Sequence, residues 1–73
     1  MNQEKVIIEG SLEGMRFYKE LDIIIDPGKV TPEQAIIRFY GSDAESFDML
    51  AREQGWRNCY WTYLDNAELL QAN

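Results

Sequence analysis

The sequence predicts a small α+β domain in which an antiparallel β-hairpin and one further strand pack against short helices. Residues 6–26, folded as a hairpin, place most of their apolar side chains on one face and most of their polar side chains on the other, as two half-buried strands do. Two segments after residue 30 combine helix-capping residues with apolar residues at helical spacing. Residues 58–64 are rich in aromatic residues, which favours a strand. We expect the element order β-β-α-α-β-α in one domain over residues 1–73.

The first predicted element is a hairpin that turns at residues 13–14. A two-residue turn determines the register of the strands that it joins. One face of the hairpin is then apolar and the other is polar, as a sheet with one buried face requires. Lys19 is the exception, because it falls on the apolar face. The predicted cross-strand pairs are Leu12–Met15, Ser11–Arg16, Gly10–Phe17, Glu9–Tyr18, Ile8–Lys19 and Val6–Leu21.

The second strand is predicted to continue through Ile23 and Ile25 and to end in a type II turn at residues 26–29. Proline at the second position and glycine at the third position are typical of that turn. Thr31 and Pro32 then favour a helix start, with Gln34 completing a capping box. Residues 35–40 could instead form a third strand of a meander, which would give the order β-β-β-α-β.

Two further helix starts are predicted downstream. Residues 42–45, Ser-Asp-Ala-Glu, form a second capping box, and Gly55 is a natural end for the helix that follows. Residues 65–68, Asp-Asn-Ala-Glu, begin a short C-terminal helix. The strand over residues 58–64 lies between these helices. Either Trp61 and Tyr63 belong to its buried face and Tyr60 is exposed, or the reverse holds.

The charge and the cysteine content of the chain indicate which class of partner and which cellular compartment to expect. The net charge is −6, and residues 54–64 contain no acidic residue. A phosphate backbone repels such a chain, so we expect a protein partner, preferably basic, rather than non-specific nucleic-acid binding. A single cysteine fits a reducing compartment, and no apolar run is long enough for a membrane span. We therefore expect a cytoplasmic protein with no membrane contact.

The residue types argue against enzymatic chemistry. The chain has no histidine, which excludes histidine-dependent catalysis. Cys59 has no nearby base that would activate its thiol, and one cysteine is too few for a structural zinc site. The glycines are dispersed and form no phosphate-binding loop. We expect no catalytic residue, no metal site and no cofactor.

Two groups of residues remain as candidates for a contact surface. Carboxylates along the hairpin form an acidic strip, and spacing of about 6.6 Å between alternate residues could imitate successive phosphates. The acidic strip consists of Glu9, Glu20, Asp22 and Asp26. The aromatic stretch around the third strand supplies residue types that dominate interface hot spots. Trp56 and Tyr60 are expected to be exposed there. The candidate interaction residues are Glu9, Tyr18, Glu20, Asp22, Asp26, Trp56, Arg57 and Tyr60.

These observations favour a non-enzymatic protein-interaction module that acts as an inhibitor or an adaptor. Small acidic domains are frequent among accessory proteins of phages and mobile elements, and size and charge associate this chain with them. One alternative is single-stranded nucleic-acid binding through the aromatic strand at residues 56–63. Another is a self-associating structural protein, which would form a homo-oligomer through the hairpin edge or the aromatic residues.

Overall fold

A computed structural model describes residues 2–65 and confirms the predicted α+β class. The five elements are β1 (Asn2–Leu12), β2 (Met15–Ile25), α1 (Pro32–Phe39), α2 (Phe47–Gln54) and β3 (Trp56–Tyr63). The strands form one antiparallel sheet in the order β2-β1-β3, so β1 is central. The predicted C-terminal helix falls mainly on residues 66–73, which lie outside the described residues. Neither α1 nor α2 is long and apolar enough to cross a membrane.

The register of the hairpin confirms all six predicted cross-strand pairs. Glu13 and Gly14 form the two-residue turn with φ values of 53° and 83°, and positive φ at both central positions is the mark of a type I′ turn. At the far end of β2, the Lys29 N–H donates to the Asp26 carbonyl over 2.8 Å. Gly28, at φ 84°, takes the conformation that a type II turn needs at its third position.

Capping determines where α1 begins. The Thr31 hydroxyl accepts the Gln34 N–H over 3.2 Å, and the Gln34 side chain accepts the Thr31 N–H over 3.0 Å. This reciprocal pair is the predicted capping box, with Pro32 in the first helical turn. Residues 35–37 are buried in the helix, so this segment is not the third meander strand that remained as an alternative.

The cap of α2 lies four residues later than the cap predicted at Ser42. The Ser42 hydroxyl instead accepts the N–H of Ala44, two residues away, in a local turn. The actual cap is Ser46. The first helical N–H, that of Phe47, donates to the Glu33 carboxylate of α1 over 2.7 Å. A contact between the two helices therefore contributes to the position of this helix start, which the sequence near Ser42 did not indicate.

Both helices pack on one face of the sheet, with α1 over β2 and α2 over β3. Trp56 lies among the aromatic rings of this core, with centroids 5.3 Å from Phe17, 5.3 Å from Tyr40 and 6.2 Å from Phe47. Such tilted and edge-on ring contacts add to the energy of area burial. The buried cluster contains Val6, Ile8, Leu21, Ile23, Ala35, Ile36, Ile37, Phe47, Leu50, Ala51 and Trp56.

The third strand reaches its place beside β1 through a bulge. The register between the two strands shifts between Glu9 and Ser11, and Asn58 takes a positive φ of 49°. At the bulge, Gly10 lies so close to β3 that a Cβ on it would stand 2.5 Å from the Cβ of Cys59. Real Cβ atoms do not approach so closely, so β3 can pack here only against a glycine.

Candidate protein-interaction surface

The sheet face that points away from α1 and α2, here called the outer face, collects most of the predicted interaction residues. Paired residues of neighbouring strands share a face. Val6 and Ile8 belong to the helix-covered core, so the odd-numbered residues of β1 and their partners lie on the outer face. Ile7 belongs to this face and is nevertheless fully buried. The predicted residues found on the outer face are Glu9, Tyr18, Glu20, Asp22, Arg57 and Tyr60.

Two adjacent rows of the outer face form a compact patch near the hairpin turn. In the first row, Glu9 lies between Tyr18 of β2 and Tyr60 of β3. In the second row, Ser11 lies between Arg16 and Arg57. The two tyrosines are 45% and 43% exposed, and both arginines are exposed. The term Tyr/Arg patch refers below to Arg16, Tyr18, Arg57 and Tyr60 around Glu9.

Glu9 connects the three strands at the centre of the Tyr/Arg patch. Its carboxylate accepts the Tyr60 hydroxyl over 2.5 Å and pairs with the Arg16 guanidinium at 3.5 Å. The hydrogen bond to Glu9 raises the pKa of Tyr60, because the protonated phenol is the form that donates. The ion pair is exposed and contributes little stability. These contacts orient the side chains of the patch before any partner arrives.

The acidic strip is less uniform than its sequence suggests. Asp22 lies 3.9 Å from the Lys5 ammonium, and Glu20 accepts the Tyr18 hydroxyl over 3.3 Å. Asp26 is placed beyond the end of β2, where it bridges to Val30 through its backbone. Two of the four acids, Glu9 and Asp22, therefore have a cation as a neighbour. This arrangement does not favour a surface that imitates a row of free phosphates.

The expectation that Trp56 is an exposed contact residue is wrong. Trp56 is only 6% exposed, because it pairs with Leu12 on the helix-covered face and its indole packs among three aromatic rings. Trp61 and Tyr63 pack against the same core, which decides between the two predicted faces of β3. Of the four aromatic residues in β3, Tyr60 belongs to the outer face.

Cys59 packs against the core as a half-buried free thiol. Burial raises the pKa of its thiol, and the nearby charge of Asp48 acts in the same direction. A raised pKa lowers the fraction of thiolate, the form that reacts as a nucleophile. Within residues 2–65, no three acidic or cysteine side chains gather in the way that a metal ion would require.

Known proteins offer no guide to the function of this surface. The chain matches no protein-family model, no curated protein and no solved structure.

Sequence reasoning missed two features of the surface. Arg16 and Lys5 were not among the candidate residues, although the predicted register already placed Arg16 diagonally beside Glu9. A groove of about 400 Å³ between the edge of β2 and α1 was also missed. One signal for the groove is the run Ile23-Ile24-Ile25, because strict alternation on a strand forces its middle residue onto the polar face. Ile24 is indeed 61% exposed.

Proposed function

We propose that this domain is a non-enzymatic protein-interaction module, acting as an inhibitor or an adaptor, that binds its partner through the outer face. The observation that carries the proposal is the Tyr/Arg patch. Tyrosine and arginine are enriched among the residues that supply most of the binding energy at protein interfaces. Here two of each surround one carboxylate on the sheet face that α1 and α2 leave free.

The cross-strand contacts of Glu9 support the proposal further. The Tyr60 hydroxyl and the Arg16 guanidinium are both held by this one carboxylate. Side chains that are already ordered lose less conformational entropy on binding. The patch lies on three paired strands, which hold it more rigidly than a loop would.

Charge indicates which partners the module prefers. The chain carries a net charge of −6, and Glu20 and Asp22 are exposed on the outer face beside the Tyr/Arg patch. Complementary charge accelerates association and selects among partners more than it adds affinity. A partner with a basic rim around an apolar or aromatic centre fits this distribution.

The test compares three tagged forms of the protein in affinity capture from native host cells. They are the unaltered chain, the double variant Tyr18→Ser/Tyr60→Ser, and the control Met49→Ser. Met49 is a 44% exposed residue of α2 on the opposite side of the molecule. We expect a protein that the first and third forms capture and the double variant does not. The purified partner should then bind the double variant at least about tenfold more weakly, equal to a loss of 1.4 kcal/mol.

Equal capture by all three forms would contradict a role for the outer face. Urea unfolding of each variant serves as the control for fold, because all three substituted residues are exposed and loss of the exposed Tyr60–Glu9 hydrogen bond should lower the unfolding midpoint only modestly. A loss of capture that accompanies a large fall in this midpoint would point to misfolding instead.

Single-stranded nucleic-acid binding is the rival function, and one observation favours it. Tyrosine and arginine side chains share a sheet face, as they do in stacking platforms for bases. The net charge opposes this function, and Trp56, Trp61 and Tyr63 pack against the core rather than on that face. A labelled oligonucleotide should show no binding at low salt with about 50 μM protein, a concentration at which non-specific binders associate. Saturable binding that the double tyrosine variant abolishes would replace our proposal.

A further inference from the structure

One edge of the sheet is built to accept another strand. The order β2-β1-β3 leaves the outer side of β2 free of any strand among residues 2–65. Leu12 and Met15 close the two-residue turn as a hydrogen-bonded pair, so the odd residues of β2 bond to β1. The N–H and C=O groups of the even residues Glu20, Asp22 and Ile24 therefore point away from the sheet, toward this edge.

The chain itself already begins a strand at this edge. Just beyond β2, the Asp26 N–H donates to the Val30 carbonyl over 3.1 Å, and the Val30 N–H donates to the Asp26 carbonyl over 2.7 Å. Asp26 continues the even-numbered series. Val30 therefore occupies the position that an added strand would hold, for one residue only. The neighbouring positions beside Ile24 and Asp22 continue the same ladder without a partner strand among residues 2–65.

A groove runs along this edge beside α1. Its volume is about 400 Å³, within the range typical of ligand pockets. Ile24 and Phe39, which both line the groove, are 61% and 55% exposed. The lining residues are Asp22, Ile23, Ile24, Asp26, Val30, Ala35, Arg38 and Phe39.

The edges of the sheet are not equally protected against pairing with a strand of another molecule. Lys19 places a charge on the inward face of β2 near the hairpin turn, and β3 is shortened and bulged at Asn58. Both are devices by which proteins block edge pairing. The segment Glu20–Ile25 has neither device. The exposed charges of this segment are carboxylates. They repel an acidic strand but attract a strand that carries lysine or arginine.

The charges decide between a second copy of this chain and a different partner. If the Glu20–Ile24 segments of two copies paired antiparallel, Asp22 of one copy would lie opposite Asp22 of the other, and a shift of two residues would instead place Glu20 opposite Asp22. Like charges directly opposite each other destabilise a strand pair. A strand that carries lysine or arginine at alternate positions would meet the same carboxylates favourably.

We propose that an extended segment of a partner protein, with apolar residues alternating with Lys or Arg, adds as a fourth strand at Glu20–Ile24. Its backbone would bond to the outward N–H and C=O groups, its Lys or Arg side chains would share the outer face with Glu20 and Asp22, and one apolar side chain would enter the groove beside Ile23 and Phe39. Backbone bonds supply affinity and the groove supplies specificity in this mode of recognition. The inference rests on the proposed function as a protein-binding module, but it uses a surface separate from the Tyr/Arg patch.

The test uses three labelled eight-residue peptides and the isotope-labelled protein. The first peptide alternates Val and Lys, the second alternates Val and Glu, and the third is the first peptide with the backbone N–H of two lysines methylated. We expect saturable binding of the first peptide and at least about tenfold weaker binding of the others, because like charge or missing N–H groups oppose strand addition. Hydrogen exchange at Glu20, Asp22 and Ile24 should slow in the complex.

Variants separate this site from the Tyr/Arg patch. Ile24→Lys should weaken binding of the Val-Lys peptide at least about tenfold through like-charge repulsion, whereas the matched control Met49→Lys should not. The Tyr18→Ser/Tyr60→Ser variant should keep this binding, so failure of the outer-face proposal and failure of this one are distinguishable. Equal binding of all three peptides, or an equal effect of the two lysine variants, would overturn the inference. A dimer that protects the same amides without peptide would assign the edge to a second copy.

Discussion

Gly10→Ala is the substitution for which the structure predicts the clearest effect on stability. The added methyl carbon would stand 2.5 Å from the Cβ of Cys59, 3.0 Å from its Cα and 3.2 Å from the carbonyl oxygen of Arg57. Two of these three atoms belong to the backbone of β3, which cannot rotate away. Because Gly10 is not at a positive φ, the whole cost comes from crowding and none from the backbone conformation.

The expected loss in the free energy of unfolding is the difference between two opposing effects. Overpacking a well-packed site costs about 1–3 kcal/mol, and we expect the upper part of this range because backbone atoms are struck. Alanine also reduces the conformational freedom of the unfolded chain, which stabilises the folded state by about 0.4–1 kcal/mol. The net loss should be about 1–2 kcal/mol, a large part of the roughly 4–11 kcal/mol that a domain of this size has.

Urea unfolding followed by tryptophan fluorescence measures this loss, because Trp56 is buried. With an m value of about 1 kcal/mol/M, the midpoint should fall by about 1–2 M. Gly14→Ala is the comparison, since a Cβ at Gly14 meets no atom within 4 Å and its cost comes from the φ of 83° alone, which Cys59→Gly should not relieve. Cys59→Gly in the Gly10→Ala background should recover part of the loss.

A change of less than about 0.5 kcal/mol in Gly10→Ala, the range of neutral surface substitutions, would refute the reasoning. The reasoning is also refuted if Cys59→Gly lowers the free energy of unfolding equally in the Gly10→Ala variant and in the unaltered chain. In that case the two side-chain positions would not be coupled, and the close approach of β3 to Gly10 would not exist in solution.

Four further predictions follow from single residues. Glu13→Asn should raise the free energy of unfolding by about 0.5–1 kcal/mol, because asparagine tolerates the positive φ of this turn better; thermal melts should show a higher midpoint. Trp56→Ala should cost about 3–5 kcal/mol through the cavity it leaves in the core, and circular dichroism should report partial or complete unfolding. Because burial raises the pKa of the Cys59 thiol, a thiol reagent near neutral pH should react more slowly with the folded protein than with the urea-unfolded one. The hydrogen bond to Glu9 raises the pKa of Tyr60, so the folded state keeps a proton that the unfolded chain releases. Stability should therefore fall as the pH rises from about 10 through the raised value, and Glu9→Gln should bring the spectrophotometric titration of Tyr60 back toward the ordinary range.

Each of these predictions has a contrary result. A lower melting midpoint in Glu13→Asn would contradict the type I′ turn. Retention of the urea midpoint in Trp56→Ala would contradict the central position of the indole in the core. Equal thiol reactivity before and after unfolding would contradict the burial of Cys59. A Tyr60 titration that Glu9→Gln leaves unchanged would contradict the hydrogen bond across β1 and β3.

The hairpin shows how much of the fold local sequence patterns can predict. Its register followed from the turn at residues 13–14 and from the alternation of apolar and polar side chains, and every predicted pair is confirmed. The helix at Pro32–Phe39 followed from the Thr31 cap in the same way. The faces of β3 could be listed from alternation as well, but alternation left open which of them is buried.

The candidate site could be predicted only in part. Alternation was enough to place Glu9, Glu20 and Asp22 on one face together with Tyr18. The position of β3 beside β1, which brings Arg57 and Tyr60 to that face, depends on pairing between distant segments. No local pattern encodes such a pairing, because it depends on packing of the whole chain.

The sequence by itself determined the α+β class, the register of the hairpin and the start of α1, because each depends on residues that are neighbours along the chain. The tertiary structure decided the burial of Trp56, the start of α2 at Ser46, the close approach at Gly10 and the groove beside Ile24. Each of these depends on contacts between segments far apart in the chain. Such contacts are stable only when the packed sheet and helices form together.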